Sequence, residues 1–158
     1  MAMQKTLNDL LDLAINAEIS AQNLYSDASE IVDDQSGKLF LNGLVQEEKG
    51  HQTMLESIKE MELFDGDLLV DDESLFEAGK KIHDTDDSFS KENDIEQIML
   101  IALKREFKAK TRYEKMAGIT NNSELKAIFS NLAKEEENHH KTIIKQFSMQ
   151  QGEMGYEM

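Results

Sequence analysis

The chain has 158 residues, 32 of them Asp or Glu against 17 Lys or Arg, and a formal net charge of −15. That length suits a single domain with a real core, and so acidic a chain is not expected to bind nucleic acid, because phosphate contacts need clustered cations. The absence of Cys excludes disulfides, thiolate metal sites and iron–sulfur or rubredoxin-type centres in this chain. With no Pro, no Trp and abundant Leu, Ala, Glu and Lys, long uninterrupted helices are favoured over strands.

Four segments carry apolar residues at helical spacing. The first runs through Leu11, Ala14, Glu18, Ala21, Tyr25, Ala28 and Val32. A polar connection at Asp33, Asp34, Gln35, Ser36 and Gly37 leads into the second, through Leu41, Leu44, Glu48, His51, Leu55 and Ile58. An Asp-rich segment at about 62–93 follows, with a short helix expected at Leu75 to Ile82 and a lone His83 read as a surface residue. The third stripe is Met99, Ala102, Glu106, Ala109, Tyr113 and Met116. Gly118 to Ser123 then turns the chain into the fourth, through Phe129, Leu132, Glu136, His139 and Ile143. Each stripe is apolar except at its Glu and His positions, which the periodicity therefore assigns to the core.

Short connections make antiparallel hairpins, and the segment at 62–93 must cross the length of the bundle to join them. The expected architecture is all-α: a four-helix bundle over 1–148 built from two helical hairpins, with a flexible C-terminal tail at 149–158. No apolar run approaches a membrane span and no basic segment leads into one, so a soluble cytoplasmic protein is expected.

The two hairpins repeat one another. Ala14, Glu18, Ala21 and Tyr25 recur as Ala102, Glu106, Ala109 and Tyr113, while Leu44, Glu47, Glu48 and His51 recur as Leu132, Glu135, Glu136 and His139. Every pair differs by 88. Each hairpin thus carries a lone Glu on its first helix and Glu-x-x-His on its second, and residues three apart on a helix lie within about 60° of each other. Four carboxylates and two imidazoles facing one core form a two-metal recipe: Glu18, Glu48, His51, Glu106, Glu136 and His139. Two divalent cations would cancel the four buried negative charges, which would otherwise repel and lose hydration. Mixed oxygen and imidazole donors suit iron or manganese, and zinc also fits such a set. Glu137 and His140 repeat the Glu-x-x-His spacing one residue out of phase, about 100° around the helix, and are read as a flank.

Tyr25 and Tyr113 follow Glu18 and Glu106 by seven residues, two turns along the same face. Helical side chains lean toward the N-terminus, so both phenols tilt toward the metal level. They are expected either to pack in the core or to hydrogen-bond a ligand carboxylate across the bundle and orient it. Ala21 and Ala109 leave the site small-walled between the first and third helices, giving room to an exogenous molecule or letting the helices approach closely.

At AINAEISAQNLY, LVQEEKGHQTML, ALKREFKAKTRY and LAKEEENHHKTI the chain resembles the rubrerythrin group of ferritin-like di-iron carboxylate proteins. The resemblance implies a ferritin-like bundle, often a homodimer, with Glu18, Glu48, His51, Glu106, Glu136 and His139 holding two iron ions. It also implies oxidoreductase chemistry with peroxide or dioxygen, in the setting of oxidative stress. Two features depart from the family pattern. No Cys is present to build a rubredoxin-like domain, so electrons would come from an external donor such as a rubredoxin-like protein. A further Glu of the third helix is replaced by Ala109, which makes the set resemble the symmetric four-Glu, two-His centres of bacterioferritin type. The expectation is a peroxide- or dioxygen-reducing di-iron protein with no separate catalytic residue, and the alternative is a ferroxidase-type or non-catalytic iron-binding and storage protein.

Overall fold

The computed structural model describes residues 5–73, 75, 76 and 95–150. Four helices account for nearly all of them: α1 (Leu7–Ile31), α2 (Gln35–Lys59), α3 (Ile95–Ile119) and α4 (Ser123–Gln150). There is no strand among the described residues, only an isolated bridge between Thr6 and Leu69. No described helix is long and apolar enough to cross a membrane.

Side-chain caps place the helix boundaries, and they shorten both expected turns. Thr6 and Asp9 form a capping box at the start of α1, with Thr6 N–H donating to Asp9 (2.9 Å) and Asp9 N–H to Thr6 Oγ1 (3.2 Å). Asp34 caps α2 by accepting from the Gly37 N–H at 2.8 Å. Gly37, read from the sequence as turn, therefore lies inside the helix, as does Gly118 at the end of α3. Asn122 repeats the Asp34 cap at α4, accepting from Leu125 N–H at 3.0 Å, so Ser123 is helical as well. The 88-residue repeat even reproduces the C-terminal contacts: Lys38 Nζ donates to the Ser29 carbonyl (2.7 Å) and Lys126 Nζ to the Ala117 carbonyl (3.0 Å). Helix α4 runs to Gln150, two residues into the expected tail; 151–158 lie outside the described residues.

The segment after α2 closes one end of the bundle. Leu68 and Gly66 carbonyls accept from the first free N–H groups of α1, those of Leu7 (2.8 Å) and Asn8 (2.9 Å), which have no partner within the helix. Gly66 suits this close approach, because a Cβ would stand 2.9 Å from the Phe64 ring and 3.2 Å from Asn8 Cβ and one of them would have to shift. Asp65 then accepts from Thr120 Oγ1 at 2.9 Å and the Asn121 N–H at 2.8 Å. The ends of α2 and α3 and the starts of α1 and α4 thus meet at one end, so α1 and α4 run one way and α2 and α3 the other. Of the short helix expected at 75–82, Leu75 and Phe76 are helical and the remainder, with His83, lies outside the described residues.

The core is split in two. Leu7, Leu11, Leu55, Ile58, Met116 and Phe129 belong to a cluster at the Asp65 end, and Leu24, Leu41, Leu44, Ile98, Met99 and Ile143 to one at the other. Between these apolar plugs lies the polar layer that the stripes assign to the core. Removing the Asp65 carboxylate by Asp65→Ala should lower unfolding stability by roughly 1–3 kcal/mol, at about 0.5–1.5 kcal/mol for each bond lost. Urea denaturation of the two proteins measures it.

Candidate metal centre

Glu18 on α1, Glu48 and His51 on α2, Glu106 on α3, and Glu136 and His139 on α4 are all buried, none more than 6% exposed. Their helices bring them together as two overlapping groups. Glu18, Glu48, His51 and Glu136 place one donor atom each within 4.8 Å of one another, and so do Glu48, Glu106, Glu136 and His139. Glu48 and Glu136 belong to both groups, whereas each outer Glu and each His belongs to one. The geometry keeps the symmetry of the repeat. His51 Nδ1 stands 3.0 Å from Glu136 Oε1 and 3.5 Å from Glu18 Oε2, and His139 Nδ1 stands 3.0 Å from Glu48 Oε1 and 3.6 Å from Glu106 Oε2.

Glu18, Glu106 and the two histidines are each held from outside through a second atom. Tyr25 donates its hydroxyl proton to Glu106 Oε1 and Tyr113 donates to Glu18 Oε1, each tyrosine bonding the carboxylate of the other hairpin. His51 Nε2 lies 2.9 Å from Glu135 Oε2, and His139 Nε2 pairs with Glu47. What is left is one buried atom on each of the six residues: Glu18 Oε2, Glu48 Oε1, His51 Nδ1, Glu106 Oε2, Glu136 Oε1 and His139 Nδ1 have no hydrogen-bond partner. The close N···O approaches are therefore proximity without hydrogen-bond alignment. Buried unpartnered polar atoms are rare in native proteins, and six converging on one point are what cations coordinated by these donors would satisfy. The residues present fit a pair of metal ions.

Proton affinities follow from the crowding. Burial, then the charges of Glu136, Glu18 and Glu106, raise Glu48 well above the usual carboxylate range; burial, Glu106 and Glu18 do the same to Glu136. Burial works against a charged His51, but the neighbouring carboxylates of Glu136 and Glu18 outweigh it and push the imidazole up to about 11. His139 is raised too, with burial opposed by Glu106 and Glu47. Burial and the nearby carboxylates hold both tyrosines well above 10, so they remain hydrogen-bond donors.

Several residues that sequence reasoning left without a role sit around the centre. Glu47 and Glu135 were visible as a repeated pair four residues before each His, on the His face of the helix, and that signal pointed to them. Arg112 was not so marked: its repeat partner is Leu24, and it is buried beside Tyr113 with its guanidinium charge favoured by Glu18 and Glu136 and opposed by burial. With Arg105, Ala17, Ala21 and Ala109 it borders a cavity of about 10 Å³ between α1 and α3, on the scale of one water molecule. The wide opening is opposite, a groove of about 700 Å³ between α2 and α4 that reaches His51 and His139. Glu137 faces away and pairs with Lys141 at 3.7 Å, and His140 is only half-buried.

The fold and the site define a helical bundle of ferritin-like architecture with a carboxylate–histidine layer at its centre. The rubrerythrin family profile matches residues 97–157, the hairpin that carries Glu106, Glu136 and His139. No curated protein matches the chain. A Thermotoga maritima protein described as ferritin-like and diiron-carboxylate superposes with a TM-score of 0.73 at 17% identity, covering 92% of this chain and 96% of that one. A hypothetical protein from Pyrococcus furiosus superposes with a TM-score of 0.65 at 24% identity, covering 89% and 87%. The chain is ferritin-like in its fold and rubrerythrin-like in its second hairpin.

The metal-free protein should lose thermal stability as pH rises. Glu48, Glu136 and His51 bind protons more tightly folded than unfolded, so their contribution is complete below the unfolded values. For the carboxylates it disappears as pH rises through their raised values, and for His51 between about 6.5 and 11. Calorimetry of chelator-treated protein from pH 6 to 10 should show a falling Tm. Glu48→Gln with Glu136→Gln should flatten the profile, and an unchanged slope in that variant would refute the assignment.

Proposed function

We propose that this protein binds two iron ions through Glu18, Glu48, His51, Glu106, Glu136 and His139, and uses them to reduce peroxide or dioxygen with electrons from an external donor. The observation that carries the reading is the set of six converging, unpartnered donor atoms. Glu48 and Glu136, which belong to both groups, would serve both ions, and Glu18 and Glu106 would each serve one beside a histidine. When bound, a pair of iron ions supplies two electrons at one place, the number needed to reduce a peroxide without releasing a radical.

The chain's own residues set the conditions for that chemistry. Tyr25 and Tyr113 fix the outer oxygens of Glu106 and Glu18, so that the inner oxygens face the centre. Glu135 and Glu47 engage the Nε2 atoms of His51 and His139, favouring the tautomer that leaves Nδ1 free as a donor. Protons held at Glu48, Glu136 and the histidines must leave when cations enter. The apolar clusters above and below close the layer to water at its two ends and strengthen electrostatic interactions on its buried α1–α3 side.

Protein purified without chelator and reconstituted with ferrous iron should carry about two metal ions per chain by elemental analysis. Glu48→Ala or Glu136→Ala should lower that occupancy far more than Glu137→Ala. A stoichiometry near zero would leave a metal-free bundle.

Stopped-flow mixing of the ferrous protein should show faster oxidation by peroxide than by dissolved oxygen, with roughly one peroxide consumed per iron pair. The symmetric donor distances and Ala109 favour a second reading, in which ferrous iron is the substrate. Under that reading oxygen is the faster oxidant, and added iron turns over into a retained ferric product.

A further inference from the structure

The two hairpins differ where they meet the metal layer. The 88-residue repeat aligns Ala17, Ala21 and Leu24 of α1 with Arg105, Ala109 and Arg112 of α3. Steps of four and three residues keep each trio on one helix face. Ala17 and Ala21 border the cavity between α1 and α3 from one helix, and Arg105, Ala109 and Arg112 border it from the other. Leu24 belongs to an apolar cluster, so the repeat itself shows an aliphatic side chain filling this position. Packing alone does not call for a cation at 112.

Arg112 is 3% exposed. A guanidinium that deep loses its hydration, and a buried charge persists only where opposite charge and hydrogen bonds compensate it. Burial opposes its charge and Glu18 and Glu136 favour it, yet its buried Nε atom has no hydrogen-bond partner among the described residues. Arginine keeps its proton, so that N–H is a donor in need of an acceptor. The cavity beside it, about 10 Å³, is on the scale of one water molecule. An acceptor of that size satisfies the donor.

Charge decides what kind of acceptor it is, and this step rests on the two-metal reading above. Two divalent cations cancel the four carboxylates of the layer, and Arg112 then leaves the layer one positive charge in excess. Arg105 is only half-buried, so solvent screens its contribution. A buried excess charge favours one opposite charge at close range. Without the cations, Glu18, Glu48, Glu106 and Glu136, which border the same cavity, repel an anion. We propose that the cavity between α1 and α3 binds one small monoanion, of the size of hydroxide or fluoride, which accepts from Arg112 Nε–H and enters only when the metal ions are bound. Ala21 and Ala109 limit its size.

Zinc loads the layer without redox chemistry, and fluoride is the probe. In fluorine NMR titrations of the full chain, the zinc-loaded protein should bind about one fluoride per chain, as a cavity of one-water size allows, and the chelator-treated protein none. Arg112→Leu, which copies Leu24, should weaken fluoride binding at least about tenfold, the scale of one charge-assisted hydrogen bond, with zinc content and helicity unchanged. Ala21→Val keeps the arginine but narrows the cavity, and should weaken fluoride as well. Iodide is too large for the cavity and should not compete. A zinc content near zero in the wild type would remove the metal reading and this site with it. Zinc-loaded protein that binds no fluoride would overturn the anion site alone. So would fluoride binding left unchanged by Arg112→Leu, which puts the anion on the metal ions without the arginine, or equal binding by the metal-free protein.

Discussion

Four carboxylates and two imidazoles buried in one layer constrain everything else in this molecule. Removing such groups from water costs several kcal/mol for each ion even after relaxation, and the layer lies where a helical bundle would otherwise place Leu and Ala. The rest of the chain offsets that cost in three ways. Tyr25, Tyr113, Glu47 and Glu135 partner the outward atoms, raised proton affinities neutralise part of the carboxylate charge, and two apolar clusters grip the helices on either side. The inward atoms are left to a cation. The position is energetically poor for an unliganded protein and good for a liganded one, the arrangement that couples metal binding to folding.

Those partners all come from the opposite hairpin. Tyr25 reaches Glu106, Tyr113 reaches Glu18, His51 reaches Glu135 and His139 reaches Glu47. The donor groups are mixed as well, since Glu136 joins the group of His51 and Glu48 that of His139. Neither hairpin owns a complete half-site, although each carries a full set of residue types. Association of the hairpins therefore creates the site and satisfies its outer atoms in one step, and a shift of one helix disturbs both halves.

This explains why so much was legible in the sequence. A Glu or His on an apolar stripe contradicts its surroundings, and meeting the same contradiction 88 residues later picked out the six positions that the structure brings together. The short connections carried the antiparallel hairpins. Of the two readings open for the tyrosines, core packing or a bond across the bundle, the structure shows the hydrogen bond to the opposite hairpin. What the repeat could not carry was asymmetry. Arg112 and Arg105 stand where α1 has Leu24 and Ala17, so no second copy announced them. Gly37 and Gly118 read as turn because glycine usually ends helices, whereas the side chains of Asp34 and Asn122 set the helix starts only after the chain has turned. The width of the α2–α4 groove depends on how two hairpins settle together, which no local pattern encodes.

The same pairing logic works in two different dielectric surroundings. Between α1 and α3, Tyr25, Tyr113 and Arg112 are almost wholly buried and the space beside them is about 10 Å³. Hydrogen bonds there act at low dielectric, where they are strong and where losing a partner strands a buried group. Between α2 and α4, the side chains of Glu47 and Glu135 are 58% and 48% exposed, and solvent weakens their hold on the histidines. The outer glutamates are thus rigidly placed while the histidines sit in a softer frame open to the groove. Any occupant that excludes water from the groove would strengthen the Glu47–His139 and Glu135–His51 pairs without touching the centre, so the surface of α2 and the order of the buried layer are linked through the dielectric at those two contacts.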